Sequence, residues 1–533
     1  MAEHEAMRGW RAKAPLAALL LGFALSRLIA AARGIRFAMY PLGNFWQYVD
    51  PPLLRDRLLE SVWYLHSQPP LFNLLLGAVL KLPFAPAGMF ALIYHAVGLG
   101  LAITMYALMV RLGAGRWVAA GVTLLFIVSP PALYFEQFLF SEYPTMLLLC
   151  GAALALHRFL ATGRRRDGWM AFGLMAVVIF TRSLFQLPWL LAVTAWLALR
   201  TAPARRRAIA VGAAPAVALT AALYLKNFLL FGTLSTSSWF GMNLMSAVEF
   251  AWPADERRAI VERGEVGPIF SVPAFSRVGA YDGVVTLPPP RGIPVLDLES
   301  TENGRPNYNH VVYAIVAPLY GRDALHVLTS NPPHYLNAVA AAASLFFRPA
   351  SDYEYFRDFQ HRIPIWDALY RYALYGQLTA PGPGVAGPVG FPLAVSAPNI
   401  GWFILLAMPL LLGLGIRRVR AAARLGDDAA AGTLAFMIAT VVYLVLVATA
   451  LNIGENQRYR FMTEPFLFIL GAAARLARTP RDDGPRRAEP ACTCAIDDLQ
   501  RRAPARCRRA RLRSTGPGVV ASAPASAGVG APA

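Results

Sequence analysis

The sequence predicts an all-α polytopic membrane protein with about ten transmembrane helices and two large extracytoplasmic loops. Three observations lead there. Of 533 residues, 56% are hydrophobic and only 15% are charged, against about 25% charged in an ordinary soluble domain. The apolar residues run in long uncharged blocks rather than as stripes on amphipathic helices. Arginine clusters fall at alternate connections between those blocks, which is how loop charge sets membrane orientation.

A helix needs about 20 apolar residues to cross a bilayer. Ten segments qualify or nearly so: 14–33, 89–110, 117–135, 142–161, 168–181, 184–200, 208–231, 399–416, 430–451 and 461–477. The fifth, sixth and last are short. Thr181, Arg182 and Ser183 make a polar break between the fifth and sixth. Arg111 and Arg116, then Arg164 to Arg166, then Arg200 and Arg205 to Arg207, then Arg417 to Arg424, mark the cytoplasmic connections. Both termini are then expected inside, in the cytoplasmic (inner) membrane.

Residues 1–231 form an N-terminal transmembrane module whose first outer loop is 34–88. Residues 232–398 are an extracytoplasmic region rich in Pro, Gly and aromatics. Residues 399–477 are a C-terminal transmembrane module, and 478–533 a basic cytoplasmic tail. Inside the first loop, 71–82 is too short to span and is expected to lie in the interface. The stretch 333–347 is also apolar, but a crossing there would move residues 417–424 to the outside. The tail carries eleven Arg against five acids and no periodic apolar pattern, so disorder is expected.

The formal charge of +19 would suggest nucleic acid in a soluble protein. Here much of it sits between apolar blocks, and no nucleic-acid motif accompanies it. Cys150 lies in an apolar block. Cys492, Cys494 and Cys507 lie in the tail without a nearby His, a weak metal pattern. No phosphate-cradling G-x-x-x-x-G-K-[ST] occurs, and no internal repeat of the kind common in transporters is visible.

Ionisable groups at membrane depth are expensive and need a reason. Asp50, Asp56, Glu60, His66, Glu136, Glu142, Arg182, Lys226, Glu455, Arg458, Arg460 and Glu464 all fall on the predicted outer face. Each has a plainer reading. Asp50 could cap a helix, Glu142 could favour a helix dipole, the arginines and Lys226 could snorkel to headgroups, and His66 could bond a carbonyl. Together they suit transfer from a lipid phosphate. Arg182, Lys226, Arg458 and Arg460 can hold phosphate oxygens, and a facing carboxylate can take a proton from an attacking hydroxyl.

The order of motifs resembles the GT-C superfamily of polyprenyl-phosphate-dependent glycosyltransferases, which includes protein O-mannosyltransferases and aminoarabinose transferases. Asp50 in "FWQYVDPP" stands in the acidic position of the first outer loop. "HSQPPL", His66 to Leu71, follows at the family spacing. "SPPALYFEQFLFSEYP" supplies Glu142, and "ENQRYRFMTEPF" supplies Arg458 and Arg460. The resemblance covers 1–231 and 399–477. It implies a GT-C-like fold with Asp50 as general base or acceptor-orienting carboxylate and Glu142 assisting it. Lys226, Arg458 and Arg460 would bind the donor phosphate, and His66, Gln68 and Tyr459 would shape the pocket. A divalent cation is optional in such a site. Pro51 stands where the second acid of the family pair is usual, so one expected ligand is missing.

The expected activity is sugar transfer, with inversion, from a polyprenyl-phosphate donor to an extracytoplasmic glycan, lipid or protein. Membrane lipids are the other expected partner, and nucleic acid is not expected. Two alternatives remain open at this point: a transporter or flippase of lipid-linked glycans, and a non-catalytic membrane scaffold.

Overall fold

The computed structural model describes residues 2–201, 203–377 and 400–474. The expectations for the tail 478–533, and for the end of the long loop at 378–398, lie outside the described residues. Among the described residues the chain is helical, with two isolated bridges, Ala38 with Phe138 and Ser300 with Pro306, and no strand. It is an all-α membrane protein. Seven helices are long and apolar enough to cross a bilayer: Lys13–Ala32, Pro86–Arg111, Glu142–Thr162, Arg205–Phe231, Val311–Ser330, Trp402–Arg424 and Asp428–Ala450.

Six of these coincide with segments expected to span. The other four expected spans differ in instructive ways. Segment 117–135 is bent by 65° between Arg116–Ile127 and Pro130–Glu136. Pro130 and Pro131 lack the N–H that would continue the ladder, and the Ser129 hydroxyl caps the second piece by accepting from the Ala132 N–H at 3.4 Å. Segments 168–181 and 184–200 become helices of 17 and 14 residues, Arg165–Thr181 and Leu187–Arg200. Segment 461–477 is broken, with a single turn Asn456–Phe461 preceding Glu464–Ala474.

The seventh long helix, Val311–Ser330, falls where the sequence predicts an outer loop. Pro318, Arg322 and Asp323 interrupt its apolar pattern, which hides it from a hydropathy reading. It packs against Phe240–Ala251 and Pro332–Phe346 rather than among the other long helices. Gly241 makes the first contact close, since a Cβ there would collide with the Ala317 carbonyl oxygen. Met242, Met245, Val248, Phe270, Val312, Val316 and Tyr320 are buried between these elements. At about 1.5–3 kcal/mol per fully buried large apolar side chain, region 232–377 holds a core of its own.

The connection 34–85 folds as four short helices, Tyr40–Asn44, Pro51–Asp56, Leu58–Trp63 and Pro70–Leu80. Residues His66 to Pro69 form the turn before the fourth and are buried. The Arg-rich connections gather at one end of the bundle: Arg205 lies 3.7 Å from Asp428 and donates to the Leu160 carbonyl at 2.9 Å, and Arg418 lies beside Gly113. The first outer loop and the starts or ends of the helices carrying Glu142 and Arg182 collect at the other.

Candidate functional site

Three chain segments meet at that second end. Glu142 is the first residue of Glu142–Thr162. Arg182 terminates Arg165–Thr181 with an extended backbone that turns its side chain inward. Arg458 lies on the single turn Asn456–Phe461, just after Glu455. The Arg458 guanidinium, 0% exposed, places Nε 2.9 Å from Glu142 Oε1 and Nη2 2.9 Å from Glu455 Oε2. Arg182 Nη2 reaches the same Glu142 oxygen at 3.1 Å. Two carboxylates and two guanidinium groups thus balance in charge. Phe45, Phe140, Tyr353 and Tyr459 surround Arg458, with ring centres 5.0–5.6 Å from its Cζ, so its faces meet aromatic quadrupoles.

Two groups in this cluster have bonding capacity left. Glu142 Oε2 is buried and receives no hydrogen bond. Arg182 donates from Nη1 to Gln47 at 2.9 Å and to Ser141 at 3.0 Å, but its buried Nε has no acceptor. Arg182 opens onto a cavity of about 760 Å³ whose wall also includes Gln68, Glu455, Tyr459, Trp239 and Glu249. Tyr353 donates its hydroxyl to Glu455. Burial pushes the Glu455 carboxyl above its ordinary value, with Arg458 pulling it back.

The structure therefore brings Glu142, Arg182, Arg458, Gln68 and Tyr459 to one place. Gln68 Oε1 accepts from Ser183 at 3.2 Å, and the Tyr459 hydroxyl accepts from Asn452 at 2.9 Å.

Six expected site residues do not line the cavity: Glu142 and Arg458, which belong to the ion cluster, and Asp50, Lys226, Arg460 and His66, which are engaged elsewhere. The Asp50 carboxylate accepts the Glu302 N–H at 2.8 Å and clasps segment 299–306 onto the first outer loop. Burial raises its pKa, and that backbone bond and Arg305 lower it. Lys226 Nζ donates to the carbonyls of Trp63 at 2.9 Å and Leu65 at 3.0 Å, pinning the turn before His66.

Arg460 spends every N–H it has. Nε and one Nη2 proton go to Glu464, the other Nη2 proton to Tyr375 at 2.7 Å, and Nη1 to the carbonyls of Phe346 and Arg348. An Arg with five satisfied donors has none for a phosphate, which corrects its expected role.

His66 Nδ1 lies 2.7 Å from the Ser238 hydroxyl and Nε2 lies 3.0 Å from the Asn309 carbonyl. The carbonyl requires a proton on Nε2, so Nδ1 accepts from Ser238. Burial pushes the imidazole down to about 3, which keeps it neutral. Its role is the plain one, tying the first loop to region 232–377.

The optional divalent cation finds a poor donor set. Glu142 and Glu455 both face Arg458, and a dication between them would meet a guanidinium. Among the described residues no three His, Cys, Asp or Glu side chains gather in a ligating group.

Glu249 lies outside the set of residues that the sequence singles out. It is the lone acid in the apolar run "MNLMSAVEFAW", which is a signal in principle. It is 5% exposed, and burial pushes its carboxyl up to about 7, against opposing pulls from the Ala274 N–H and Arg257. No family model, curated protein or solved structure matches this chain.

Proposed function

We propose that the chain is a membrane glycosyltransferase with a GT-C-like fold. It moves a sugar from a polyprenyl-phosphate donor to an acceptor on the extracytoplasmic face of the cytoplasmic membrane. The observation that carries this reading is Arg182, a buried guanidinium on a cavity wall with one N–H unspent. A buried donor without a partner is costly, and an anionic oxygen is the ligand that repays it best.

In this reading the donor phosphate sits against Arg182. The acceptor oxygen bonds to the anomeric carbon as the carbon–oxygen bond to phosphate breaks. The leaving polyprenyl phosphate keeps that electron pair and is stabilised by the guanidinium. The acceptor's proton passes to a carboxylate of the cavity, and Glu455 is the acid beside Arg182. Glu142 and Arg458 hold that pair in place. Leu184, Tyr443, Val447 and Leu451 on the same wall offer the apolar surface a lipid tail needs. Asp50 positions a loop in this scheme and takes no proton.

The test uses proteoliposomes loaded with labelled polyprenyl-phosphate sugar. Transfer of label to an acceptor without movement of the lipid between leaflets supports the enzyme. Lipid movement without transfer would replace it with a flippase.

A further inference from the structure

Region 232–377 contributes a stretch of cavity wall that the transfer chemistry above does not use. Its centre is Phe275, with φ +60°, the one non-glycine residue of positive φ among the described residues. A bulky residue in that conformation is a genuine outlier, and such outliers cluster at ligand sites.

What holds Phe275 there is a chain of bonds that starts at a buried acid. Glu249 Oε1 accepts the N–H of Ala274. The Tyr308 hydroxyl donates to the Phe275 carbonyl at 3.2 Å, and the Trp239 indole donates to the Tyr308 carbonyl at 3.4 Å. The result is three rings meeting almost at right angles, with centres 5.2, 5.8 and 6.0 Å apart. All three rings, and Glu249, line the cavity.

The polar groups beside the rings are incompletely used. Glu249 Oε2 is buried without a hydrogen bond. Asn243 and Ser246 lie six and three residues before it, on one face of Phe240–Ala251, and both line the cavity. Ser246 donates to the Met242 carbonyl at 3.1 Å, leaving its oxygen free to accept. No hydrogen bond involves the Asn243 amide among the described residues. Aromatic surface next to a few amide, hydroxyl and carboxyl groups is the lining of a site for a polar organic ring. The rings take C–H faces, and the polar groups take hydroxyls.

We infer that Trp239, Phe275 and Tyr308, with Asn243, Ser246 and Glu249, form a saccharide-binding subsite, separate from the anion site at Arg182. That its occupant is the acceptor rests on the transferase reading. That it binds a sugar ring does not.

The experiment uses the full chain in nanodiscs free of sugar detergents. The probes are methyl glycosides of glucose, galactose, mannose and arabinose, which carry no lipid and no phosphate. Saturation-transfer NMR reads binding. At least one probe is expected to bind, with affinity falling about tenfold or more in Phe275→Gly and Asn243→Ala. Phe275→Gly removes the ring while keeping the left-handed backbone without steric cost, and melting curves of both variants separate lost binding from lost packing of the ring against its core. Polyprenyl phosphate binding should be unchanged in both variants.

Absence of signal from every probe in the wild type, or signal that survives both substitutions, overturns the inference. Sugar binding without label transfer in proteoliposomes would sink the transferase reading and leave this subsite standing.

Discussion

Arg458 stands between Glu142 and Glu455, 2.9 Å from each, with all three side chains buried. Taking one partner from a buried ion cluster costs about 3–5 kcal/mol, because the others are left charged and unpaired. Arg458→Met is therefore expected to lower the melting temperature more than Glu142→Gln, which removes one charge but keeps an acceptor. Size-exclusion profiles after heating read this. Equal melting curves for Arg458→Met and wild type would remove Arg458 from its structural role.

Arg460 lies two residues away and does something else. Its donors bind Glu464, Tyr375 and two carbonyls. Arg460→Lys keeps the charge but loses the five-donor fork. It is expected to cost roughly 1–3 kcal/mol of stability with polyprenyl phosphate affinity unchanged in the folded fraction. A large affinity loss at preserved stability would return Arg460 to the phosphate site.

His66 links stability to acid. Its folded pKa is about 3 against an ordinary 6.5. The unfolded chain therefore binds more protons than the folded one between those values, and stability rises with pH there. The contribution of neutral His66 is full above pH 6.5 and is lost as pH falls toward 3. Melting temperatures of wild type and His66→Gln, taken from pH 7 to pH 4.5, should converge toward the acid end. A gap that stays constant or widens contradicts the neutral imidazole.

Asp50→Ala is expected to free segment 299–306, whose Glu302 N–H it holds, and Asp50→Asn to keep it bound. Limited proteolysis should cut the first variant near 299–306 faster than wild type. Sugar transfer by Asp50→Asn should stay within a few-fold of wild type. Its abolition, with insertion intact, would restore the base role that the resemblance implies.

Much of this was written in the sequence, and the remainder shows what tertiary contacts add. Uncharged blocks flanked by arginines mark six of the seven long helices, because a bilayer accepts little else. Glu142, Arg182 and Arg458 stand out as charges in apolar surroundings, and the structure puts them side by side. Arg458 and Arg460 look equivalent in "QRYRF", yet on a one-turn helix they enter separate networks. Only the packing of Tyr353 on one side and Tyr375 on the other separates them.

Asp50 looked catalytic from its place in a motif, while its partner, the Glu302 backbone, is 252 residues away. Val311–Ser330 was hidden by its own Pro, Arg and Asp. The left-handed backbone at Phe275 has no local sequence signal, since its Glu249 and Tyr308 supports come from other elements.

In the proposed reaction Arg182, on the cavity wall, receives the lipid phosphate. Equilibrium binding of sugar-free polyprenyl phosphate to purified wild type and Arg182→Gln tests this directly. Losing a charge-assisted bond of about 1.5–3 kcal/mol predicts an affinity weaker by roughly 10- to 150-fold in the variant. Equal affinities, with both proteins folded, would contradict it.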